Sequence, residues 1–226
     1  MKVEPNQLPY PTPPSITPPA GAGHAPSVAA DHSDVGQNTI AVRQIREEDI
    51  PEFREVLDSV CRERRHLAML EAPPIERVQS FVASNIVAGN PQFVAEENGR
   101  IVGWCDVTPG SAAVGMAHVG RLGMGVLTGY RGRKVGRRLI NATVEKARML
   151  GLEKIELGVF SSNEPAIALY RSLGFQEEGR KKRGRFVDGI YDDVILMALE
   201  LKRPNPIPDP TPGSGPPPPR REAGYP

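Results

Sequence analysis

The sequence predicts a mixed α/β fold, an α+β arrangement of strands and helices around one central sheet. Three observations carry that expectation. Segments of alternating apolar and polar residues are interleaved with segments of 3.6-residue periodicity. Two Asx-Gly pairs, Asn98-Gly99 and Asp188-Gly189, lie between alternating segments and signal hairpins. Finally, 18 of the 24 prolines fall outside residues 39–202, which sets one folded unit apart from two tails. The expected order is β-α-α-β-β-β-α-β-α-β-β.

Thr39 to Arg46 alternates and reads as the first strand. Asp49 is placed to cap a helix with Pro51 in its first turn and Phe53, Val56, Leu57 and Val60 on one face. After Pro73-Pro74, Ile75 to Ala88 carries a second helical stripe (Val78, Phe81, Val82, Ile86), stopped by Gly89. Gln92–Glu97 and Ile101–Val107 flank the Asn98-Gly99 turn. His118 to Leu127 is a glycine-rich strand, in which glycine marks a bulge or a close backbone approach. Val135 to Leu150 is helical through Val135, Leu139, Thr143, Ala147 and Leu150, with Gly151 as the stop. Lys154 to Phe160 is an apolar strand. Pro165 to Leu173 follows Asn163 as a short helix closed by Gly174. Phe175–Val187 and Ile190–Leu201 pair around Asp188-Gly189.

The chain has 226 residues and a net charge of +1, so attraction to an anion must be local. Residues 1–38 and 203–226 carry eight and ten prolines and are expected to be disordered spacers. The folded unit is residues 39–202. Cys61 and Cys105 stand alone, which argues for buried thiols in a reducing compartment and against a structural metal. No apolar run is long enough for a membrane span, and none resembles a secretory signal, so the expected location is cytoplasmic.

The stretch Tyr130-Arg131-Gly132-Arg133-Lys134-Val135-Gly136-Arg137 is basic, glycine-broken and runs straight into a helix. Unpaired N–H groups and a partial positive charge at a helix start suit a phosphate. A solvated charged helix start explains the run equally well when it is taken alone. Neither a dinucleotide fingerprint nor a Walker loop is present.

The turn Arg131-Gly132-Arg133-Lys134-Val135-Gly136 resembles the R/Q-x-x-G-x-G/A turn of the GNAT superfamily of acetyl-CoA-dependent N-acetyltransferases. Asn163 through Phe175 matches that superfamily's N-x-x-A-x-x-L-Y-x-x-x-G-F stretch in full. The likeness covers about residues 40–200. The ending, Glu178 to Met197, resembles the phosphinothricin-type and amino-acid N-acyltransferase branch and the ribosomal-protein N-terminal acetyltransferases. One departure stands out: Lys134 replaces the first turn glycine. A positive φ there would strain a lysine by about 1 kcal/mol, and a negative φ is the expectation.

The resemblance implies a GNAT fold: a mixed sheet of about seven strands with four helices, splayed between strands 4 and 5. It implies acetyl-CoA as co-substrate and no metal. Met124, Gly125 and Val126 would meet the acetyl and pantetheine chain. Arg131, Gly132, Arg133, Lys134, Val135, Gly136 and Arg137 would hold the pyrophosphate, and Asn163, with Ala166 beside it, the pantetheine arm. Tyr170 would be the general acid that protonates the departing sulfur. The base is open among His118, Glu156 and Asp106. Trp104 and Phe186 are expected in the core rather than in an acceptor pocket. The Arg180–Arg185 cluster reads as a solvated, charge-guarded edge strand. The implied activity is acetyl transfer to a primary amine of a small molecule, amino acid or protein N-terminus, by direct attack in a ternary complex. The implied partners are that amine and, as an option, a second copy in a homodimer. The alternative is a non-catalytic acyl-CoA-binding regulatory module, for which Lys134 is the only support. Nucleic-acid binding is disfavoured by the charge balance and the lack of a stacking motif.

Overall fold

The computed structural model describes residues 39–111 and 114–201. The two proline-rich tails, Lys202, Ala112 and Ala113 lie outside the described residues. The elements are β1 (Ala41–Gln44), α1 (Ile50–Arg62), α2 (Ile75–Ala88), β2 (Gln92–Glu97), β3 (Arg100–Pro109), β4 (Val119–Val126), α3 (Val135–Met149), β5 (Lys154–Phe160), α4 (Glu164–Ser172), β6 (Gln176–Val187) and β7 (Ile190–Glu200). They form one seven-stranded sheet in the order β1-β2-β3-β4-β5-β7-β6.

Both predicted hairpins close as expected. Asn98 and Gly99 have φ of 53° and 74°, and Asp188 and Gly189 have φ of 52° and 80°. Two successive positive φ values make the tight turn whose twist matches that of the strands it joins. Every neighbouring pair is antiparallel except β4 and β5, which run parallel. That parallel pairing is short: Val119, Gly120 and Arg121 face Lys154, Ile155 and Glu156, and no further pairs form.

Each face of the sheet has its own core. On one face α1 and α2 bury Phe53, Val56, Leu57, Val60, Val78 and Val82 against Val94, Ile101 and Trp104. On the other α3 and α4 bury Val135, Leu139, Ile140, Ala147, Ile167 and Tyr170 against Cys105, Val107, Leu122, Ile155 and Leu157. Both cysteines are buried and unbridged.

Several expectations are corrected. Asp49 does not cap α1 with its side chain; the carboxylate takes the Arg46 backbone N–H and a two-pronged contact from Arg43 instead. The buried stripe of α2 runs through Asn85 rather than Ile86, because the Asn85 amide donates to buried Gln92 Oε1 at 2.8 Å. Leu150 falls beyond the end of α3 and is exposed. Phe186 is not core: it is 59% exposed and stacks on Tyr191 at the tip of the β6–β7 hairpin. Trp104 is core, edge-on to Phe53 at 5.7 Å. β6 is an edge strand, as its charge suggested.

The glycines of β4 mark close approach, not a bulge, since β4 pairs with β3 in unbroken register from Gly120 to Val126. Trp104 sits across from Gly125 and Asp106 across from Gly123. A Cβ on Gly125 would come within 2.2 Å of the Trp104 ring, and one on Gly123 within 3.2 Å of Asp106 Oδ2. The missing side chains are thus the space into which two β3 side chains lie. Gly125→Ala is expected to lower unfolding stability by about 2 kcal/mol through overpacking, whereas Gly129→Ala, where a Cβ meets nothing within 4 Å, leaves the urea midpoint unchanged.

Candidate active site

Main-chain direction along β4 follows from two bonds at its ends. Leu127 N–H donates to Val102, and Val119 C=O accepts from Gly110, so the odd-numbered groups face β3. The even-numbered groups, including those of Met124 and Val126, therefore face β5. On β5 the even-numbered groups face back, because Lys154 N–H donates to His118 C=O while Ser161 N–H turns to Asp193 on β7. Beyond Arg121 and Glu156 the two rows no longer meet. Met124 and Val126 line one lip of the resulting gap, and Gly158 and Phe160 the other. Val126 C=O is taken by Arg131 Nε at 2.9 Å. The N–H groups of Met124 and Val126 find no acceptor among the described residues. Backbone donors of this kind are rarely left unused.

The chain leaves β4 through a 3-10 turn, Thr128–Tyr130, and reaches α3. The first bond of that helix runs from Arg138 N–H to Lys134 C=O at 3.2 Å. The N–H groups of Val135, Gly136 and Arg137 come before it and have no intrahelical acceptor. Gly136 packs closely: a Cβ there would lie 3.1 Å from Leu169 and 3.2 Å from the Met124 methyl. Lys134 has φ 63° and ψ 10°, so it occupies the left-handed region. The expected negative φ is overturned; the turn keeps the shape a glycine would give it, and the lysine bears the strain. Two of the turn's guanidiniums are drawn away. Arg131 pairs with Glu63, just past the end of α1, at 2.7 Å, and Arg133 pairs with buried Glu97 at 2.5 Å while lying over the Tyr130 ring. Lys134 is exposed, and Arg137 leans on Ser172 of α4 at 2.7 Å.

α4 borders the same gap. Asn163 Oδ1 accepts from Ala166 N–H at 3.4 Å, a long cap bond. Tyr170 is 7% exposed, and its ring packs on Phe175. Burial, with a smaller push from Cys105, drives its pKa far above the usual phenol value, so it keeps its proton.

On the α1–α2 face, Asp106 lies over Gly123 with its carboxyl buried. Desolvation pushes its pKa up to about 7, against a weaker downward pull from a hydrogen bond to Trp104. Gln92, opposite it on β2, is also buried, and its Nε2 has no partner among the described residues. Glu156 stands where the strands part and is ion-paired to Lys154 at 2.9 Å. His118 is not in β4 but in the exposed turn before it, at the opposite end from Val126. Met124 and Val126 thus lie on one lip of the gap and the 131–137 turn follows them, Tyr170 is on the α3–α4 face and Asp106 on the α1–α2 face, and His118 is at the opposite end of β4.

Two features were not legible in the sequence. His66 lies between Glu63 and Arg131, with Arg131 Nη1 3.2 Å from His66 Nε2. Asp192 of β7 holds the start of α4 by accepting from Ser161 Oγ at 2.6 Å, from Ser162 N–H and from the Ser162 hydroxyl. Both depend on residues at least 30 positions apart, and no local pattern signals them. Among the described residues no group of His, Cys, Asp and Glu could hold a metal ion. No described helix is long and apolar enough to cross a membrane.

Comparisons with known proteins agree with this geometry. The model of the acetyltransferase (GNAT) family matches residues 44–175. The L-amino acid N-acyltransferase MnaT of Escherichia coli (strain K12) is 28% identical over 125 residues, covering 55% of this chain and 72% of that protein. A ribosomal-protein-alanine N-acetyltransferase structure from Brucella melitensis superposes with a TM-score of 0.66 at 26% identity, covering 71% of this chain and 99% of that one. A GNAT superfamily phosphinothricin acetyltransferase from Sinorhizobium meliloti, in complex with AcCoA, shares the fold with a TM-score of 0.67 at 20% identity, over 72% of this chain and 89% of that one.

Two measurements check the electrostatics and the strain. The folded state raises the Asp106 pKa from 3.8 to about 7, so it binds this proton more tightly than the unfolded chain does. Stability from this group is therefore full below pH ~4 and is lost as pH rises through 7. Asp106→Asn removes that loss: its melting temperature should match the wild type's near pH 4 and exceed it by several degrees, about 3 to 5 °C, at pH 8. Lys134→Gly should leave stability equal or raise it by up to about 1 kcal/mol, read by denaturant titration, because the released strain offsets the added chain entropy.

Proposed function

The chain belongs to the GNAT family of acetyl-CoA-dependent N-acetyltransferases, and we propose that it acetylates a primary amine by direct attack in a ternary complex at the β4–β5 gap. The acceptor class is an amine of a small molecule, an amino acid or a protein N-terminus. One observation carries the reading. N–H groups on Met124 and Val126, without an acceptor among the described residues, line a gap that leads to the N–H groups opening α3, which have no intrahelical acceptor. A thioester joined through an amide-bearing arm to a pyrophosphate matches that series of donors.

The coenzyme supplies an activated acetyl thioester. The main chain of Met124 and Val126 would bind its carbonyl and amide groups in the manner of an added strand. Val135, Gly136 and Arg137 would take the pyrophosphate by N–H, with Lys134 adding positive charge. Asn163 and Ala166 border the arm between those two ends. Bond formation needs a neutral amine and a stabilised oxyanion. We assign the amine's proton to Asp106, whose carboxyl lies over Gly123 and titrates near neutrality. Glu156 is the weaker candidate, because Lys154 already pairs with it. The N–H of Met124 stabilises the oxyanion. Tyr170, still protonated, gives its proton to the departing sulfur. Holding amine and thioester together supplies further rate by orientation. A cytoplasmic site of action fits this chemistry.

Calorimetry with acetyl-CoA, followed by thiol release on an amine panel, tests the reading. Binding with release supports it, binding without release indicates a non-catalytic acyl-CoA module, and no binding removes both. Tyr170→Phe is expected to lower kcat by ~100-fold or more with little change in acetyl-CoA affinity; equal kcat at saturation rejects the acid role. Gly136→Asp, which adds a charge and a side chain between Leu169 and Met124, should weaken acetyl-CoA binding by at least ~10-fold. Calorimetric affinity equal to that of the wild type would count against the pyrophosphate assignment.

A further inference from the structure

Gln92 and Asp106 face each other across β2 and β3. Main-chain bonds fix the kind of pair they form. Val107 N–H donates to Pro91 C=O at 2.8 Å, and Ile45 N–H donates to Gln92 C=O at 3.0 Å. The main chain of Gln92 is thus turned to the β1 side. Towards β3, Gln92 and Asp106 form a non-hydrogen-bonded pair, the kind whose side chains lie closer together. Both side chains share the α1–α2 face with Val94 and Trp104.

A series of side-chain amides ends at this pair. Asn90 Nδ2 donates to Asn85 Oδ1 at 3.1 Å, and Asn85 Nδ2 donates to Gln92 Oε1 at 2.8 Å. With its oxygen engaged by α2, the Gln92 amide turns its NH2 away from Asn85. Gln92 is 1% exposed, and its Nε2 is closed to solvent and has no partner among the described residues. Bulk water does not reach that donor, and a buried donor left unmet is costly.

The ionisable groups that the packed elements bring to this face are Cys61 and Glu52 of α1, Arg43 of β1 and Arg121 of β4. Cys61 is a buried thiol, Glu52 accepts from Ile101 N–H, Arg43 is held by Asp49 and Glu96, and Arg121 is exposed beside Thr108. From α2 the buried side chains are Val78, Val82 and Asn85. Cys105, next to Asp106 in β3, points into the opposite core, where burial keeps its thiol protonated. The Asp106 carboxyl is governed by burial and, more weakly, by its bond to Trp104.

We infer that Gln92 is a positioning residue for Asp106: its Nε2–H donates to the ionised carboxylate, and the Asn90–Asn85–Gln92 series holds that donor in place. This rests on the assignment of the amine's proton to Asp106 and deepens it. A donor to the charged form favours that form, and hydrogen bonds to an ionised acceptor are the stronger ones. The bond therefore gains strength as the carboxyl loses its proton. In the transfer itself an N–H bond of the amine breaks and an O–H bond forms on Asp106, while the Gln92 hydrogen stays on its nitrogen.

The experiment uses the full chain carrying Gln92→Met, which removes the donor at similar side-chain length. Gln92→Asn, which keeps an amide but draws it back by one methylene, takes its place if the first variant does not fold. The Asp106 carboxyl carbon is followed by NMR across pH, its signal identified by its loss in Asp106→Asn. The variant should hold the Asp106 proton about tenfold more tightly than the wild type does. The acid limb of kcat/KM should move to higher pH by the same amount, so that activity falls about fivefold at pH ~7 and returns above pH ~9. Acetyl-CoA affinity should stay the same. A purely structural loss lowers the rate at every pH and leaves the limb where it was. The inference is overturned if the Asp106 titration in the folded variant coincides with that of the wild type. If the acid limb survives in Asp106→Asn, the assignment of the amine's proton to Asp106 fails by itself. The NMR titration then still decides whether Gln92 governs this carboxyl: a displaced midpoint supports the bond, and an unmoved one ends it.

Discussion

The structure depends on where two parallel strands stop pairing. β4 and β5 share three residue pairs and then diverge, and every later group on their facing edges must find another partner. Other parts of the chain supply some of those partners. Arg131 takes Val126 C=O, and Asn163 N–H takes Phe160 C=O. The N–H groups of Met124 and Val126 have no acceptor among the described residues. In a sheet otherwise paired across its width, a short unpaired stretch of this kind sets where an extended ligand can add its own main-chain-like groups.

The elements around the gap are arranged by that interruption. α3 begins just past the end of β4, so its unpaired N–H groups continue the line of donors. α4 packs Leu169 against Gly136, which has no Cβ to hold the two helices apart. On the opposite face the absence of side chains at Gly123 and Gly125 admits Asp106 and Trp104. A hydrogen bond from Trp104 pulls the Asp106 pKa down. Desolvation outweighs that bond, which is why the acid titrates near neutrality. One glycine-rich strand thus leaves an open main-chain edge towards β5 and makes room for a carboxyl group on the α1–α2 face.

Local strain and charge pairing have clear limits here. Lys134 holds a left-handed conformation normally left to glycine, and the turn around it is kept by Arg131 and Arg133, each tied to a carboxylate on a different element. These ion pairs also explain why the basic run is less of a charge cluster than its composition suggests. Two of its guanidiniums serve the fold and are not free for phosphate. Beyond the gap, Arg185 and the Arg64–Asp188 pair join the segment after α1 to the β6–β7 hairpin.

Taken alone, the sequence determined the element order, both hairpins, the turn into α3 and the α4 segment after Asn163. Each of these is set by interactions between residues a few positions apart: alternation, periodicity, caps and turn chemistry. It also pointed to the family, through two motifs of that same local kind. Several outcomes were decided only in three dimensions. The negative φ expected at Lys134 gave way because the turn between β4 and α3 fixes the backbone path. Phe186 fell outside the core because the hairpin tip extends past the helices. His118 lay apart from the cleft because the strand begins one residue later and runs away from it. The Glu63–Arg131 pair, the Arg64–Asp188 clasp and the position of Asp106 over Gly123 join residues 17 to 124 positions apart. No local pattern encodes such contacts; they arise when strand register and helix docking bring distant side chains to one place.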